Sequence, residues 1–342
     1  MEAYMFALIK GFLVNGDRVS IHTYEADRDL LKKTPCSVHK VHLPPVPGRW
    51  RKYLFLRKCN REFRAEEYDL SLSLTRTCCQ DIAVCGGVHP EAVQRTRRTS
   101  LFRRLHDRFE IGFEKKMLET TPWIMAHSLI IAEELKRHYR FDYSRIVTLY
   151  PPIDTDIFFR LPRQDVDAAV EKYGINKDKT TFLFPSCGHV RKGFEPLARA
   201  FAQLDPSRFE LLVAGGTLPG KQPAHIRYVG YVDNLAPLYC AVDFTILPSH
   251  YEPFGLVIPE SLQCGTPVVT TDGVGAAALL DPADGIVMQD NSAQTIRETL
   301  TGLDKKQFSV TPDFAASHRL TVAQHIEDIK ALAINHSAAF RS

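Results

Sequence analysis

The sequence predicts an α/β protein with two domains, each built on a parallel, doubly wound sheet. At 342 residues the chain is too long for one small core and fits two domains of ordinary size. From about residue 181 onward, short β-rich runs alternate with helical patterns, which predicts a parallel sheet with ligands at the carboxyl ends of its strands. A proline-containing segment without periodicity at 150–156 is typical of a linker between the two domains.

The elements of the first half alternate less regularly. Residues 2–14 have helical periodicity and end at Asn15-Gly16, a pair that tolerates the left-handed conformation. Strand patterns follow at 18–23, 38–43, 68–74, 82–87, 124–127 and 146–149, and helical patterns at 49–64, 95–116 and 129–139. A helix followed by a strand is the second part of a βαβ unit, so the sequence predicts a first domain that lacks its first strand.

The second half alternates more clearly. Strand patterns lie at 181–184, 210–214, 226–229 and 244–247, and helical patterns at 195–203 and 235–240. A last helix is predicted over about 322–335.

Composition describes a globular protein, with 44% hydrophobic and 24% charged residues. No apolar run approaches the roughly 18 residues needed to span a bilayer, and the N-terminus lacks the succession of a signal peptide, which favours the cytoplasm. The eight cysteines lack zinc-site spacing and are predicted to be reduced, structural thiols. Basic residues are in excess in the first half and acidic residues in the second. This asymmetry predicts that the first half contacts an anionic surface, either phospholipid or nucleic acid.

Residues 241–272 hold the densest set of functional signals. A strand pattern at 244–247 leads into a loop with Glu252, and an apolar-periodic helix with Glu260 follows. A helix that begins near Phe254 would direct its free N–H groups and its positive dipole end at this loop, which suits a phosphate. Glu260 would lie about two turns along, roughly 9 Å beyond Phe254. The two carboxylates could then hold opposite ends of an elongated phosphorylated ligand.

This stretch resembles the signature of the retaining family-4 glycosyltransferases. The resemblance is carried by Glu252 and Glu260 with seven residues between them, by Pro253-Phe254-Gly255 and by Gly265-Thr266-Pro267-Val268. It implies a GT-B fold, in which two Rossmann-like domains face each other across a cleft. The implied domains are an acceptor domain at 1–152, a nucleotide-sugar domain at 160–320 and a C-terminal helix and tail at 321–342 that crosses back to the first.

The resemblance also implies an activity. The chain is similar to lipopolysaccharide core glucosyltransferases, which implies metal-independent transfer of a hexose, glucose being favoured, from a nucleotide diphosphate sugar such as a UDP-sugar. The acceptor would be a glycolipid or polysaccharide such as lipopolysaccharide core, and the enzyme would lie at the inner face of the cytoplasmic membrane. The donor is a substrate, and no further cofactor is implied.

The same resemblance gives roles to individual groups around the two glutamates. Glu252 would bind hydroxyls of the donor sugar, and Glu260 the ribose hydroxyls. The backbone amides of Phe254, Gly255 and Leu256 would bind the diphosphate. Electrostatic stabilisation of the leaving group would then carry the chemistry.

A second motif, Arg191-Lys192-Gly193, follows the strand pattern at 181–184. Arginine offers a bidentate fork and lysine a point charge, and both suit a diphosphate. In the family this triplet grips the donor pyrophosphate, with Lys192 stabilising charge on the leaving nucleotide. A plain solvated pair is the alternative.

A third motif is Cys85-Gly86-Gly87-Val88-His89 at the end of a predicted strand. Two glycines let a substrate approach the backbone closely, and an imidazole beside them would face the cleft. By resemblance His89 would contact the donor sugar; the alternative is a structural or surface histidine. The weaker Val229-Gly230-Tyr231 would hold the base through backbone groups.

The most basic segment, residues 95–117, has apolar positions at 101, 102, 105, 109 and 113 that share a helical face with arginines beside it. This is the layout of an interfacial amphipathic helix, and relatives of the lipopolysaccharide type have a basic membrane-docking segment here. We therefore expect contact with an anionic membrane surface, with a solvated basic face as the alternative.

The sequence also allows other functions. The chain could bind a nucleotide sugar without transferring it, since the first strand and its glycine loop are predicted to be missing, or it could be a nucleotide-sugar epimerase of the same architecture. A glycosidase needs two carboxylates about 5 Å apart, which the spacing of Glu252 and Glu260 disfavours. Asp154-Thr155-Asp156 is explained by the linker, so no metal site is predicted. No recognised nucleic-acid motif is present, and no nucleic-acid partner is expected.

Overall fold

The computed structural model describes residues 2–25, 35–96 and 101–340. The chain divides into two compact units, one formed by residues 1–151 with 322–342 and the other by residues 152–321. We call them unit 1 and unit 2.

The described strands all pair in parallel. They are β1 (Ser20–Thr23), β2 (Ser37–Lys40), β3 (Leu72–Ser73), β4 (Ile82–Cys85), β5 (Trp123–Ala126), β6 (Ile146–Thr148), β7 (Thr180–Ser186), β8 (Phe209–Gly215), β9 (Ile226–Gly230), β10 (Phe244–Leu247), β11 (Val268–Thr271) and β12 (Gly285–Met288). The described α-helices are α1 (Glu2–Val14), α2 (Gly48–Glu62), α3 (His89–Thr96), α4 (Leu101–Thr120), α5 (Leu129–His138), α6 (Arg163–Tyr173), α7 (Phe194–Phe201), α8 (Ala236–Ala241), α9 (Val257–Gln263), α10 (Ala293–Thr301), α11 (Phe314–Ser317) and α12 (Val322–Phe340).

Unit 1 contains two parallel sheets. β1 pairs with β2, and the remaining strands form a sheet of order β3-β4-β5-β6. All four residues of β4 are buried, which fits a strand covered by helices on both faces. On one face, Tyr4 and Leu8 of α1 pack with Ile326 and Ile329 of α12 against the sheet. The last helix of the chain is therefore part of unit 1, and the described part of unit 1 begins with α1, as the sequence predicts.

Unit 2 contains one six-stranded parallel sheet with the order β12-β11-β10-β7-β8-β9. Every residue of β8, β10 and β11 is buried, because helices cover both faces of the sheet. α6 and α8 pack with one face, and aromatic side chains such as Phe182, Phe201 and Phe244 fill the core of the other. Both units are thus Rossmann-like, which confirms the predicted fold class.

Candidate functional site

The candidate site lies in unit 2, where the order of the strands changes direction. The chain runs from β7 outward to β8 and β9, and then returns to the other side of β7 as β10. The loops after β7 and β10 therefore leave neighbouring strands and diverge, which opens a crevice at the carboxyl ends of these strands. Arg191-Lys192-Gly193 lies in the loop after β7, and Glu252 lies in the loop after β10. The sheet thus brings together two motifs that are about sixty residues apart in sequence.

Gly193 fixes the end of the loop after β7. It has a φ of 80°, and a Cβ atom placed there would lie 2.1 Å from the carbonyl oxygen of Pro248, at the end of β10. Only glycine allows both this conformation and this approach of two backbones. α7 starts directly after it. The position of Lys192 and Arg191 beside β10 therefore depends on the absence of a side chain at residue 193.

The loop after β10 is held by backbone bonds to the loop after β11. The amide of Glu252 donates to the carbonyl of Gly273 at 2.9 Å, and the amide of Gly275 donates to the carbonyl of Glu252 at 3.0 Å. Gly255 follows with a φ of 90°, and a Cβ atom there would meet Val274 at 2.8 Å. The loop around Glu252 is therefore a defined structure that keeps the Glu252 side chain at the crevice.

Charged side chains from the two loops meet directly. The guanidinium of Arg191 forms an ion pair with the carboxylate of Glu252. The ammonium of Lys192 donates to the carbonyl of Pro185 at 2.9 Å. Burial lowers the pKa of Lys192, and the nearby carboxylate of Glu252 opposes that effect. A lysine held in this way presents a poorly hydrated positive charge, which interacts strongly with an anion.

Glu260 lies nearer to the start of its helix than the sequence predicts. The helix begins at Val257, so the prediction of a start near Phe254, with Glu260 two turns along, is wrong. Glu260 stands in the first turn. The reason is the left-handed Gly255, whose φ of 90° interrupts the apolar periodicity that begins at Phe254.

The environment of Glu260 perturbs its carboxyl group. Burial raises its pKa to about 7, although the hydroxyl of Tyr239 donates to it at 2.9 Å and the charge of Lys192 also favours ionisation. Burial raises the pKa of Tyr239 itself, so its hydroxyl remains a donor. Glu260 is therefore a carboxyl group close to its titration point at neutral pH, within the field of Lys192.

The residues between the two glutamates present backbone groups. The carbonyl of Phe254 accepts from Ala276 at 2.8 Å. The amides of Gly255 and Leu256 donate to no group in the described part of the chain. They stand just ahead of α9, so these two N–H groups are available to an anionic ligand.

His89 lies in unit 1, at the first residue of α3. Its imidazole Nε2 is 3.0 Å from Oδ1 of Asp107 on α4, and its amide donates to Glu114 at 2.9 Å. The His89 ring thus contacts α4. Its predicted contact with the donor sugar stays a prediction. Among the described residues, His89, His106 and Asp107 form the one group whose atoms lie close enough to share a metal ion.

Helix α4 has three of its carboxylates, those of Asp107, Glu110 and Glu114, on the buried face. Glu110 accepts from Lys52 at 2.8 Å and from Arg76 at 2.7 Å, and Glu114 accepts from Arg76 at 3.0 Å and from Tyr139 at 2.6 Å. Burial alone would raise the pKa of Glu110, but Lys52 and Arg76 outweigh it and lower this pKa. The buried face of α4 therefore holds Glu110 and Glu114 paired with cations, next to the core residues Met117 and Leu118.

The opposite face of α4 is apolar and basic. Leu105 and Phe109 are 49% and 39% exposed, and Arg103, Arg104 and Arg108 are exposed beside them. Phe113 is half-buried and packs beneath α2. The side chains of Leu101 and Phe102 lie outside the described residues, as do residues 97–100. The predicted apolar face exists at 105 and 109, and it is turned to solvent.

Sequence reasoning missed two side chains of the site. Tyr239, on α8, is the partner of Glu260, and no local pattern links residues 21 positions apart. His189 bonds Ser186 at 3.0 Å and the carbonyl of Gly216 at 2.9 Å, which ties the loop after β7 to the end of β8. Its position two residues before the Arg191-Lys192-Gly193 motif was the available signal. Tyr231, which follows Gly230 in the segment predicted to hold the base, is exposed.

Cations, free amides and two carboxylates at the switch point of a Rossmann-like unit are features that suit a phosphorylated ligand such as a nucleotide. A family model described as "Glycosyl transferases group 1" matches residues 179–304, and one described as "Glycosyltransferase Family 4" matches residues 1–157. Together they cover most of the chain. The chain therefore carries a group 1 glycosyltransferase domain and a family 4 glycosyltransferase domain.

Individual relatives agree with this assignment. A probable transglycosylase of Burkholderia thailandensis is 29% identical over 341 residues, which are 97% of this chain and 93% of that protein. A D-inositol 3-phosphate glycosyltransferase of Catenulispora acidiphila is 30% identical over 251 residues, 66% of this chain and 54% of that protein.

Solved structures show the same fold. WaaG, a glycosyltransferase involved in lipopolysaccharide biosynthesis, matches with a TM-score of 0.71 and 20% identity over 97% of this chain and 90% of its own. HepE of Anabaena in complex with UDP-glucose matches with a TM-score of 0.72 and 18% identity over 96% of this chain and 94% of its own. The fold of the chain is GT-B.

Two findings bear on a membrane. Among the described helices, none combines the length and the apolar content that crossing a bilayer would require. Leu105 and Phe109 of α4 remain partly exposed beside arginines, although the Phe109 ring lies 5.7 Å from that of Tyr53 on α2.

Proposed function

We propose that the protein is a retaining, metal-independent hexosyltransferase that takes a UDP-sugar, UDP-glucose first among them, as its donor. The observation that carries the proposal is the convergence of Arg191, Lys192, Glu252 and Glu260 at the switch point of unit 2. The similarity to HepE, which was solved with UDP-glucose, supports the choice of donor. A glycolipid or polysaccharide acceptor, lipopolysaccharide core in particular, fits the similarity to WaaG.

In this proposal, the two carboxylates bind the two ends of the donor. Glu260 accepts hydrogen bonds from the ribose hydroxyls, which requires its ionised form, and Lys192 favours that form. Glu252 binds hydroxyls of the transferred sugar. Its ion pair with Arg191 keeps the carboxylate in place before the donor arrives. The carboxylates therefore set the orientation of the donor along the crevice.

The diphosphate lies between these carboxylates, on the cations and the backbone. Lys192 and Arg191 bind its oxygens together with the amides of Gly255 and Leu256. As the glycosidic bond breaks, negative charge grows on the leaving phosphate, and these fixed donors stabilise it. Protein groups thereby neutralise the charge on the leaving diphosphate, a role that a metal ion has in metal-dependent transferases. The acceptor hydroxyl attacks the sugar on the face that the diphosphate leaves.

We include His89 as a candidate catalytic residue of unit 1. Its contact with Asp107 holds the ring in one orientation and favours one tautomer. The unit that carries His89 also carries the exposed face of α4. We propose that this face docks the enzyme on the anionic inner surface of the cytoplasmic membrane, close to a lipid-linked acceptor.

The decisive experiment measures release of UDP from a panel of nucleotide sugars, with and without a lipid-linked acceptor. Acceptor-dependent release from UDP-glucose, with the α-linkage of the donor kept in the product, is the expected result. Binding of UDP-glucose without turnover on any acceptor would identify a nucleotide-sugar-binding protein, and interconversion of free UDP-sugars would identify an epimerase. Either result would overturn the transferase proposal.

A further inference from the structure

A cavity of about 480 Å³ lies between α2 and α4 in unit 1, and none of its lining residues is among the proposed donor-binding residues. Its lining consists of Arg57, Asn60 and Arg61 from α2 and Arg108, Phe109, Gly112, Phe113 and Lys116 from α4. Four of these eight side chains are cationic, and none of the eight is acidic. The volume falls within the range of small-molecule sites. The cavity is therefore a positively charged pocket of a size that suits a phosphorylated group.

The positive charge of this pocket is not compensated by the protein. Arg57, Arg108 and Lys116 form no ion pair with any residue in the described ranges. Arg61 pairs only with Glu62, on the exposed surface of the same helix. Glu110 and Glu114 of α4 lie on its buried face, and Glu119, the exposed glutamate of this helix, pairs with Lys115. Because like charges that converge without a counterion repel, the arrangement is most stable with an anion between them.

Gly112 opens the pocket. A glycine in the middle of a helix costs about 1 kcal/mol relative to alanine. Packing does not require it, because a Cβ atom at this position would meet no other atom within 4 Å. The missing side chain leaves a groove between Phe109 and Lys116, in which a ligand can reach the helix surface. Gly112 therefore makes α4 less stable and leaves its surface accessible to a ligand.

The outer edge of the pocket is apolar. Leu105, one turn before Phe109, is 49% exposed, and Phe109 is 39% exposed. On α2, Trp50 is 44% exposed and contacts Tyr53 edge-on, and the ring of Tyr53 lies 5.7 Å from that of Phe109. Cations around a cavity with exposed aromatic and aliphatic side chains at its edge match an amphiphile, with a phosphate beside hydrocarbon.

We infer that the α2–α4 pocket binds the phosphate-bearing headgroup of an anionic phospholipid. The phosphate lies among Arg57, Arg108 and Lys116, and the acyl chains leave past Leu105 and Phe109. This inference rests on the proposed membrane association and makes it specific: the surface recognises a headgroup in a site, in addition to the general attraction of a basic surface to an anionic one. A nucleic acid would also supply phosphates, but it offers no hydrocarbon for the exposed Leu105.

The test uses the full chain and vesicles of phosphatidylcholine, with or without a fraction of phosphatidylglycerol. Gly112→Leu fills the groove without changing any charge, and Gly112→Ala is its matched control, since it stiffens the helix and leaves the groove open. We expect Gly112→Leu to lower affinity for the anionic vesicles by roughly tenfold or more, the loss expected when hydrogen bonds to a charged group are removed. Gly112→Ala should bind like the natural chain.

A second pair of variants separates site binding from general attraction. Arg108→Gln and Arg104→Gln each remove one arginine from the same helix, and only Arg108 lines the pocket. General attraction alone predicts an equal loss of roughly fivefold for both, whereas a headgroup site predicts a clearly larger loss for Arg108→Gln. Soluble glycerophosphoglycerol should compete with the vesicles, and inorganic phosphate, which carries no glycerol, should compete less.

The possible outcomes distinguish failure of the proposed membrane association from failure of the proposed headgroup site. If the natural chain binds both kinds of vesicle equally, or neither kind, membrane association itself is wrong. If it binds anionic vesicles while Gly112→Leu and Arg108→Gln behave like their controls, only the headgroup site is wrong. A single-stranded oligonucleotide that displaces the vesicles and binds more tightly than they do would show that the pocket serves nucleic acid, and this would also overturn the inference.

Discussion

The two units use buried charge in opposite ways. In unit 2, Lys192 and Glu260 are held in an environment that disfavours their charged forms, and they face a crevice. In unit 1, Arg76 sits between Glu110 and Glu114, and every charge of this cluster has a partner within the protein. A charge that is paired inside the protein contributes to folding, whereas a charge whose ionised form is destabilised is available to a ligand. The comparison separates structural from functional ionisable groups.

The largest effect is expected from the structural cluster. Arg76→Met leaves Glu110 and Glu114 with buried carboxylates and too few cations, and it should lower the free energy of unfolding by about 3–5 kcal/mol. Chemical denaturation followed by circular dichroism measures this. Lys136→Met breaks an exposed pair with Glu133 and should cost less than about 1 kcal/mol. Equal losses in the two variants would contradict the structural role of the cluster.

Lys192→Ala should have the opposite profile. We expect turnover of UDP-glucose to fall roughly 10²–10³-fold, because a fixed donor to the leaving diphosphate is lost. Stability should change by less than about 1 kcal/mol, because the folded state already lowers the pKa of this lysine. Lys221→Ala, an exposed lysine of the same unit, is the control and should leave kcat unchanged. A stable variant with full activity would show that Lys192 is not part of the catalytic machinery.

Gly193→Ala tests whether backbone geometry positions these cations. The φ of 80° and the 2.1 Å approach to Pro248 leave no room for a methyl group, so the loop after β7 has to shift. We expect a loss of about 1–3 kcal/mol in the free energy of unfolding together with weaker donor binding. Gly188→Ala is the matched control, because a Cβ atom there meets nothing within 4 Å. Thermal unfolding and calorimetric titration with UDP measure the two effects.

The titration of Glu260 gives a smaller effect that depends on pH. An isolated glutamate titrates near ~4.3, and burial raises the pKa of Glu260 to about 7. A raised carboxyl pKa means that the folded state binds this proton more tightly, so the contribution of Glu260 to stability is lost as pH rises from about 4 to about 7. Ribose binding needs the ionised form. The affinity for UDP-glucose should therefore fall up to about tenfold per pH unit below about 7.

Glu260→Gln is the control for this pH dependence. It keeps the shape of the side chain and removes the titration, so its affinity for UDP-glucose should be lower and nearly constant between pH 6 and pH 8. The ligand in this measurement is UDP-glucose and not UDP, because the diphosphate of UDP-glucose carries no proton that titrates in this range. A pH profile that is the same for both chains would exclude Glu260 as the titrating group.

The smallest effect is expected at the surface of unit 1. Leu105→Ser removes an exposed apolar side chain that makes no packing contact with the core, so stability should change by less than about 0.5 kcal/mol. Binding to anionic vesicles should fall about fivefold to tenfold, because only the exposed half of this side chain gains burial, which is worth about 1 kcal/mol. Leu129→Ser, at another exposed leucine of unit 1, is the control. Vesicle sedimentation at two salt concentrations separates this apolar contribution from the contribution of charge.

The sequence by itself determined the class of fold and selected the candidate site residues. Alternating short apolar runs and helical patterns predict parallel sheets because such runs can be buried on both faces only under helices. Arg191, Lys192, Glu252 and Glu260 could be selected because each motif combines unusual backbone residues with charge at the end of a predicted strand. Local chemistry was enough for these predictions.

Only the tertiary structure decided how these residues are used. The helix with Glu260 begins at Val257, because Gly255 adopts a left-handed conformation where its loop meets Val274. The partner of Glu260 is Tyr239 on another helix. α4 buries Glu110 and Glu114 and exposes Leu105 and Phe109, because Lys52 and Arg76, far away in sequence, supply the charges that pair with the buried carboxylates. Periodicity shows that a helix has two faces; the partners that come from the rest of the chain decide which face is buried.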